Sequence, residues 1–209
     1  MNYIENIPST HLYVVQGLKK GNIKPPYFLY ANNQYEGIGS RSNAWLGERG
    51  NLYMSFCIEE KDLPSDVPSP SVCIYFACIM KGVLENKGSQ VWLKWPNDFY
   101  VLDKKIGGVM SSKIGDKYVV SMGLNLLSSP SEFGILDVRV TNGELMKKFC
   151  QELKINYSWK QVFSKFRIEF QKNKNFTFHK DGKVFSLEEA VLCDDGSIKL
   201  NGRRAYGLR

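Results

Sequence analysis

One short segment concentrates residue types able to do chemistry. Lys94-Trp95-Pro96-Asn97-Asp98 is followed by Lys104-Lys105-Ile106-Gly107-Gly108-Val109. Proline sets the chain direction and cannot donate a ladder hydrogen bond. Asn97 and Asp98 then offer an amide and a carboxylate at a sharp corner. Paired glycines let the backbone approach a ligand closely, and a lysine beside them supplies a compact positive charge for a phosphate or carboxylate. The set suits an anionic substrate near an accepting carboxylate. A β-hairpin with a solvated basic turn explains the same residues without any ligand.

Two further segments add to it. Gln34 to Asn51 contains Gly37, Gly39, Gly47 and Gly50, the cations Arg41 and Arg49, and the flat ring of Trp45. Such a loop can fold over a phosphoryl group and bind it through backbone N–H groups. It lacks the residue order of a P-loop and the spacing of a dinucleotide fingerprint, and a surface loop with one buried tryptophan fits nearly as well. In Ser121-Met122-Gly123-Leu124-Asn125-Leu126 a glycine and an asparagine interrupt an apolar strand. Glycine there marks close approach of a ligand or another backbone, and a buried asparagine requires hydrogen-bond partners. A bulge with a structural asparagine is the plain alternative.

These residues need a scaffold, and the chain has the material for one. It has 209 residues, 43% hydrophobic and 13% aromatic, enough for one domain plus a small appendage. Leu12 to Leu18 starts a helix after a Ser9-Thr10 cap signal. Strands are expected at 27–31, 51–58, 91–94, 99–102, 105–113 and 117–126, with a Gly115-Asp116 turn between the last two. Helices are expected at 68–88, capped by Ser69 or Ser71 and ended by Gly88, and at 142–153 and 158–173. Phe163, Phe166 and Phe170 share one face of the last and belong to the core. Asp181-Gly182, Asp195-Gly196 and Asn201-Gly202 punctuate short alternating runs, which implies a small all-β module. The expected fold class is α+β, a mixed sheet with flanking helices followed by that module. The expected domains are 1–173 and 174–209.

Composition narrows the function classes. The formal charge of +7 favours acidic partners, but no block of five or six like charges marks a nucleic-acid tail. Five cysteines without a CxxC pair and two distant histidines give a zinc site little support. They read as free thiols of a reducing compartment. The start of the chain carries no signal-peptide pattern, and the most apolar stretch, 72–80, is far short of the ~20 residues that cross a membrane. A cytoplasmic protein without membrane association is expected.

In this order and at this spacing, the Ser9-Thr10 pair, the 34–45 loop, the 51–55 strand, the 94–98 and 105–108 segment and the Gly123-Leu124-Asn125 strand resemble the catalytic domain of biotin–protein ligases. The resemblance covers about residues 8 to 127. The C-terminal module matches that family's small SH3-like cap in position and size. The resemblance implies that biotin is activated with ATP and Mg²⁺ to biotinyl-5′-AMP and passed to a lysine of a biotin carboxyl carrier protein, the carrier subunit of acetyl-CoA carboxylase. It implies that Ser9, Thr10, His11 and Gln34 bind the biotin head, that Gly37, Ile38, Gly39 and Ser40 lie in the loop over biotin, and that Gly108 lines the pocket. Lys105 would hold the carboxylate and the α-phosphate. Asp98 would face the incoming lysine, and Arg41 would complete the catalytic set. Trp45, Lys94, Asn97 and Asn125 would contact the nucleotide. No resident metal site is implied.

The sequence departs from the family pattern at two places. Ile38 and Ser40 stand where the loop usually carries arginines, with Arg41 able to replace one after a register shift. His11 replaces the usual asparagine after Ser-Thr. Little chain precedes Ser9, so neither a DNA-binding domain nor a repressor role is expected, and DNA is not an expected partner; a homodimer is allowed. Lipoate or octanoate transferases share the fold, but their triple-glycine and histidine loop is missing. A non-catalytic basic binding module and a ligase that binds biotin without adenylating it are the other readings.

Overall fold

The computed structural model describes residues 1–209 except 40–43, 46, 181 and 208–209. Ser9 opens the first helix, α1 (Thr10–Lys19), by accepting a hydrogen bond from Leu12 N, which satisfies one of the orphan donors of the first turn. α1 follows edge strand β1 (Asn2–Ile7) and leads to β2 (Tyr27–Gln34), which pairs parallel with β1. Two short strands, β3 (Gly37–Ile38) and β4 (Ala44–Trp45), pair across the loop after β2.

β5 (Leu52–Glu59), β6 (Trp92–Lys94), β7 (Asp98–Val101), β8 (Lys104–Ile114) and β9 (Lys117–Leu124) complete the main sheet. Its order is β1-β2-β5-β9-β8-β7-β6, antiparallel beyond β2. Alternation along the strands divides the faces. On β5, Leu52, Met54 and Phe56 enter the larger core, while Tyr53 and Cys57 meet α1 with Val14 and Leu29. On β9, Val120, Met122 and Leu124 enter the larger core and Val119 turns to α1.

The larger core is closed by α2 (Val72–Glu85), α3 (Asn142–Leu153) and α4 (Trp159–Glu169). α2 is apolar nearly all round because α3, α4 and the sheet enclose it. Thr141 and Ser158 close reciprocal capping boxes with Glu144 and Gln161. At α2 the expected cap is corrected. Ser71 occupies the N-cap position, but its hydroxyl makes no capping bond and donates to Asp195 O instead. Gly88, with φ +92°, ends that segment as expected.

After a 3₁₀ segment at 170–175 come a hairpin, β10 (Thr177–Lys180) with β11 (Lys183–Ser186), and a three-stranded sheet of β12 (Val191–Leu192), β13 (Ile198–Leu200) and β14 (Arg203–Ala205). These strands are consistent with an SH3-like module, and they share the larger core through Phe178, Leu187 and Ile198. Trp95 and Trp159 donate their indole N–H groups to Gly196 O and Asp194 O. Among the described residues no helix is long and apolar enough to cross a membrane.

Candidate active site

On the α1 face of the sheet, past the start of that helix, lies a cavity of about 320 Å³. The start of α1, the end of β2, the β3–β4 pair, the β6–β7 corner, β8 and β9 all reach it. Thr10, His11, Gln34, Ile38, Gly39, Trp45, Asn97, Asp98, Lys105, Gly108 and Asn125 all line it. All eleven are among the residues expected at the site from the sequence.

At one end the polar groups are buried and joined. Thr10 N and Oγ1 donate to Gln34 Oε1 at 2.9 and 3.0 Å. Ser55 Oγ lies 2.9 Å from Thr10 Oγ1 and 2.7 Å from Ser121 Oγ. Ser121 Oγ is 2.8 Å from His11 Nδ1, and Ser112 Oγ is 3.2 Å from His11 Nε2. Burial holds the His11 pKa below the ordinary histidine value. Ser55, Ser112 and Ser121 were absent from the sequence-derived site. Strand alternation puts all three on the α1 face, but serine in a half-buried strand carries no signal of its own.

At the middle, Lys105 Nζ and Asp98 Oδ1 form an ion pair at 2.7 Å. Gly108 leaves room for it, since a Cβ there would sit 3.2 Å from Asp98 Oδ1 and 3.8 Å from Lys105 Cε. Asn97 donates its side-chain N–H to Val109 O at 2.5 Å, locking the corner that carries Asp98. The Trp95–Pro96 bond in that corner is cis.

At the far end the Trp45 ring lies against Gly123, where a Cβ would stand 2.8 Å from the indole. The buried Trp45 Nε1 has no hydrogen-bond partner among the described residues. Asn125 donates to Gly134 O at 3.0 Å and receives Leu136 N on its carbonyl at 2.8 Å. It thereby holds the segment that brings Pro130, Glu132 and Phe133 to the cavity. The sequence reading did not name those three, which lie in a loop without periodicity or motif.

Three expected residues stand back from the cavity. Ser9 caps α1. Gly37 packs under the site, its missing Cβ leaving space for Gln34 Nε2 and Trp45 O. Lys94 lies over the rings of Tyr100 and Phe176, 5.5 and 5.7 Å from their centroids, and burial lowers its pKa. Ser40 and Arg41 lie outside the described residues. The buried or half-buried thiols of Cys57, Cys73, Cys78 and Cys150 are poor nucleophiles: burial pushes Cys57 and Cys73 up to about 11 and raises Cys78 and Cys150 too.

The cavity thus joins a hydroxyl-lined end, a lysine–carboxylate pair and an aromatic end, an arrangement suited to bringing a small carboxylic acid up to a nucleotide. The chain belongs to the biotin/lipoate A/B protein ligase family, which it matches over residues 3–126. Within that family its likeness is to biotin–protein ligases. It is 36% identical to the biotin acetyl coenzyme A carboxylase synthetase of Helicobacter pylori, whose crystal structure holds biotinylated ATP. The two superpose with a TM-score of 0.94 over 98% of this chain and 97% of that one. It is 32% identical over 127 residues to the bifunctional ligase/repressor BirA of Escherichia coli, a match covering 57% of this chain and 38% of that protein. Biotin–protein ligase 2 of Arabidopsis thaliana is 35% identical over 100 residues, 44% of this chain and 30% of that one. The chain therefore matches well under half the length of these curated relatives.

Proposed function

We propose that the chain joins biotin to ATP, forming biotinyl-5′-AMP, and passes the biotinyl group to a lysine of a biotin carboxyl carrier protein such as the acetyl-CoA carboxylase carrier subunit. The observation that carries this is the Lys105–Asp98 pair at 2.7 Å, set between the hydroxyl-lined end and the Trp45 end of one cavity.

In the first step a biotin carboxylate oxygen bonds to the α-phosphorus of ATP, and the bond to the bridging oxygen breaks to release pyrophosphate. Two anions must approach each other, and Lys105 offsets their repulsion and meets the charge that builds on the α-phosphoryl oxygens. Mg²⁺ would enter on the triphosphate and neutralise it further. Asp98 and Glu132 in the cavity lining suit an ion carried mainly by phosphate oxygens. In the second step the lysine amine of the carrier attacks the acyl carbon and AMP departs. The amine must shed a proton, and Asp98 is the carboxylate positioned to take it once phosphate draws Lys105 aside. No enzyme-bound acyl intermediate is needed, in keeping with the raised pKa values of Cys57, Cys73, Cys78 and Cys150.

Residues 1–173 are assigned to the catalytic domain and 174–209 to the small C-terminal module. The activity belongs in the cytoplasm, where ATP and the carrier meet.

The test is transfer of radiolabelled biotin to a purified carrier domain with ATP and Mg²⁺. Wild type is expected to label the carrier, and Lys105→Ala to lose at least about a hundredfold of that rate. Ile38 at the cavity, where the family carries arginine, favours one second reading. No labelling by a wild type that still binds biotin would mark a chain that has lost adenylation.

A further inference from the structure

The hydrogen bonds at the head end of the cavity form one continuous chain, and donor counting sets its direction. Thr10 N lies 2.9 Å from the Gln34 side chain. A backbone N–H only donates, so the amide must turn its oxygen there. Thr10 Oγ1 is 3.0 Å from the same oxygen, so its single proton points at Gln34. Ser55 Oγ, 2.9 Å from Thr10 Oγ1, is then a donor to it. Ser121 Oγ, 2.7 Å from Ser55 Oγ, must donate in turn. The 2.8 Å contact between Ser121 Oγ and His11 Nδ1 leaves the ring nitrogen as the donor. A neutral ring protonated at Nδ1 accepts at Nε2, where Ser112 Oγ stands 3.2 Å away.

The opposite tautomer fails on geometry. With the proton on Nε2, Ser121 would donate to Nδ1. Ser55 and Ser121 would then face each other across 2.7 Å with no proton between them, and no water fits between oxygens that close to relieve the repulsion at the fully buried Ser55. Burial of His11, which disfavours its charged form, keeps the ring neutral.

We propose that His11 is a positioning residue that sets the polarity of this relay, and through it the head group the cavity selects. Every hydroxyl proton between His11 and Gln34 is used inside the relay. Thr10 and Ser121, which border the cavity, therefore turn only lone pairs toward a ligand. The group seated there must bring hydrogen-bond donors, as the two N–H groups of the cyclic urea of biotin do. This rests on the ligase reading and specifies how it recognises its acid.

Nitrogen-15 NMR reads the tautomer directly, because the chain has two histidines, His11 and His179, and His179→Gln leaves one signal. At neutral pH, Nδ1 of His11 is expected to carry the proton and Nε2 to be bare. By calorimetry without ATP, His11→Leu should bind biotin about tenfold more weakly, the worth of one buried hydrogen bond. The loss should appear in the KM for biotin more than in kcat. His11→Asn, whose amide reaches the Nδ1 position, should stay within about threefold of wild type. Against biotin methylated on both urea nitrogens, the difference between wild type and His11→Leu should shrink. A proton on Nε2, or a His11→Leu variant that binds biotin like wild type, overturns the relay while leaving the ligase reading standing. A wild type that binds no biotin overturns the ligase reading, and the tautomer then decides the relay by itself.

Discussion

Gly123 carries no side chain, and the indole of Trp45 occupies the space that one would need. A Cβ there would stand 2.8 Å from two indole carbons, closer than packed carbons tolerate. Gly123→Ala is therefore expected to displace Trp45 and to cost about 1–3 kcal/mol of stability through overpacking. If Trp45 forms the nucleotide face, the KM for ATP should rise about tenfold, with a change in tryptophan emission on ATP binding. An ATP KM equal to wild type would separate Trp45 from the nucleotide. His11 makes a pH prediction at the same scale. Its folded pKa lies below the ordinary value of about 6.5, burial alone lowers it, and its two ring contacts are uncharged hydroxyls. Above about 6.5 the ring is neutral in both states and contributes no pH dependence. Below that value the unfolded chain takes up a proton that the folded ring resists, so stability falls as pH drops toward the folded pKa. Urea midpoints for wild type and His11→Asn between about pH 5 and 7.5 would show it as a slope that the variant lacks.

At the scale of elements, the end of β9 is held from outside the strand. Asn51 Oδ1 accepts from Leu126 N at 2.8 Å and Leu127 N at 3.0 Å, and Asn51 Nδ2 donates to Ser128 O at 2.9 Å. Asn51 is buried, so its loss leaves those groups unsatisfied. Asn51→Ala is expected to cost about 1–3 kcal/mol and to speed hydrogen exchange at the amides of 126–128. It should also loosen the segment that carries Glu132 and Phe133 to the cavity. Unchanged exchange there would show that Asn125 and its bonds to Gly134 and Leu136 hold the segment alone. The capping boxes of α3 and α4 are more ordinary supports. Thr141→Ala should cost about 1 kcal/mol in chemical denaturation without altering ligand affinity, because α3 packs on the face opposite the cavity.

For the whole molecule, the net charge of +7 is a property of surface and not of fold. An acidic carrier domain would be drawn to it at long range. The rate of carrier labelling below saturation should then fall steadily as salt rises toward 1 M, where the screening length is ~3 Å. Biotin affinity, set by buried groups, should change little. A labelling rate indifferent to salt would place carrier recognition in short-range contacts. Asn173 stands where the helical region meets the C-terminal strands. It is fully buried, accepts from Trp95 N at 2.6 Å and donates to Leu93 O at 3.3 Å. The end of β6, and with it the corner bearing Asp98, is thus braced from the segment that leads into the small module.

Much of this was legible in the residues themselves. Alternating strands, amphipathic helices and glycine turns are local properties, and the expected elements agree with the observed ones to within a few residues at most ends. The motif around Lys94 to Gly108 set a lysine, a carboxylate and paired glycines within fifteen positions, whereas the direct pairing of Lys105 with Asp98 emerged only in the fold. What only the tertiary structure decided is the company each residue keeps. Ser55 meets Ser121 across 66 positions and His11 meets Ser121 across 110, pairings no local pattern encodes. Lys94 belongs to the motif, yet the pleat of β6 turns it over Tyr100 and Phe176 and away from the cavity lining. Ser71, a cap by its position, is claimed by Asp195 O from the far end of the chain. Sequence sets which chemistry is available, because side-chain type and local spacing are written there. Folding sets which of it converges, because convergence depends on which strands become neighbours and which face each residue turns.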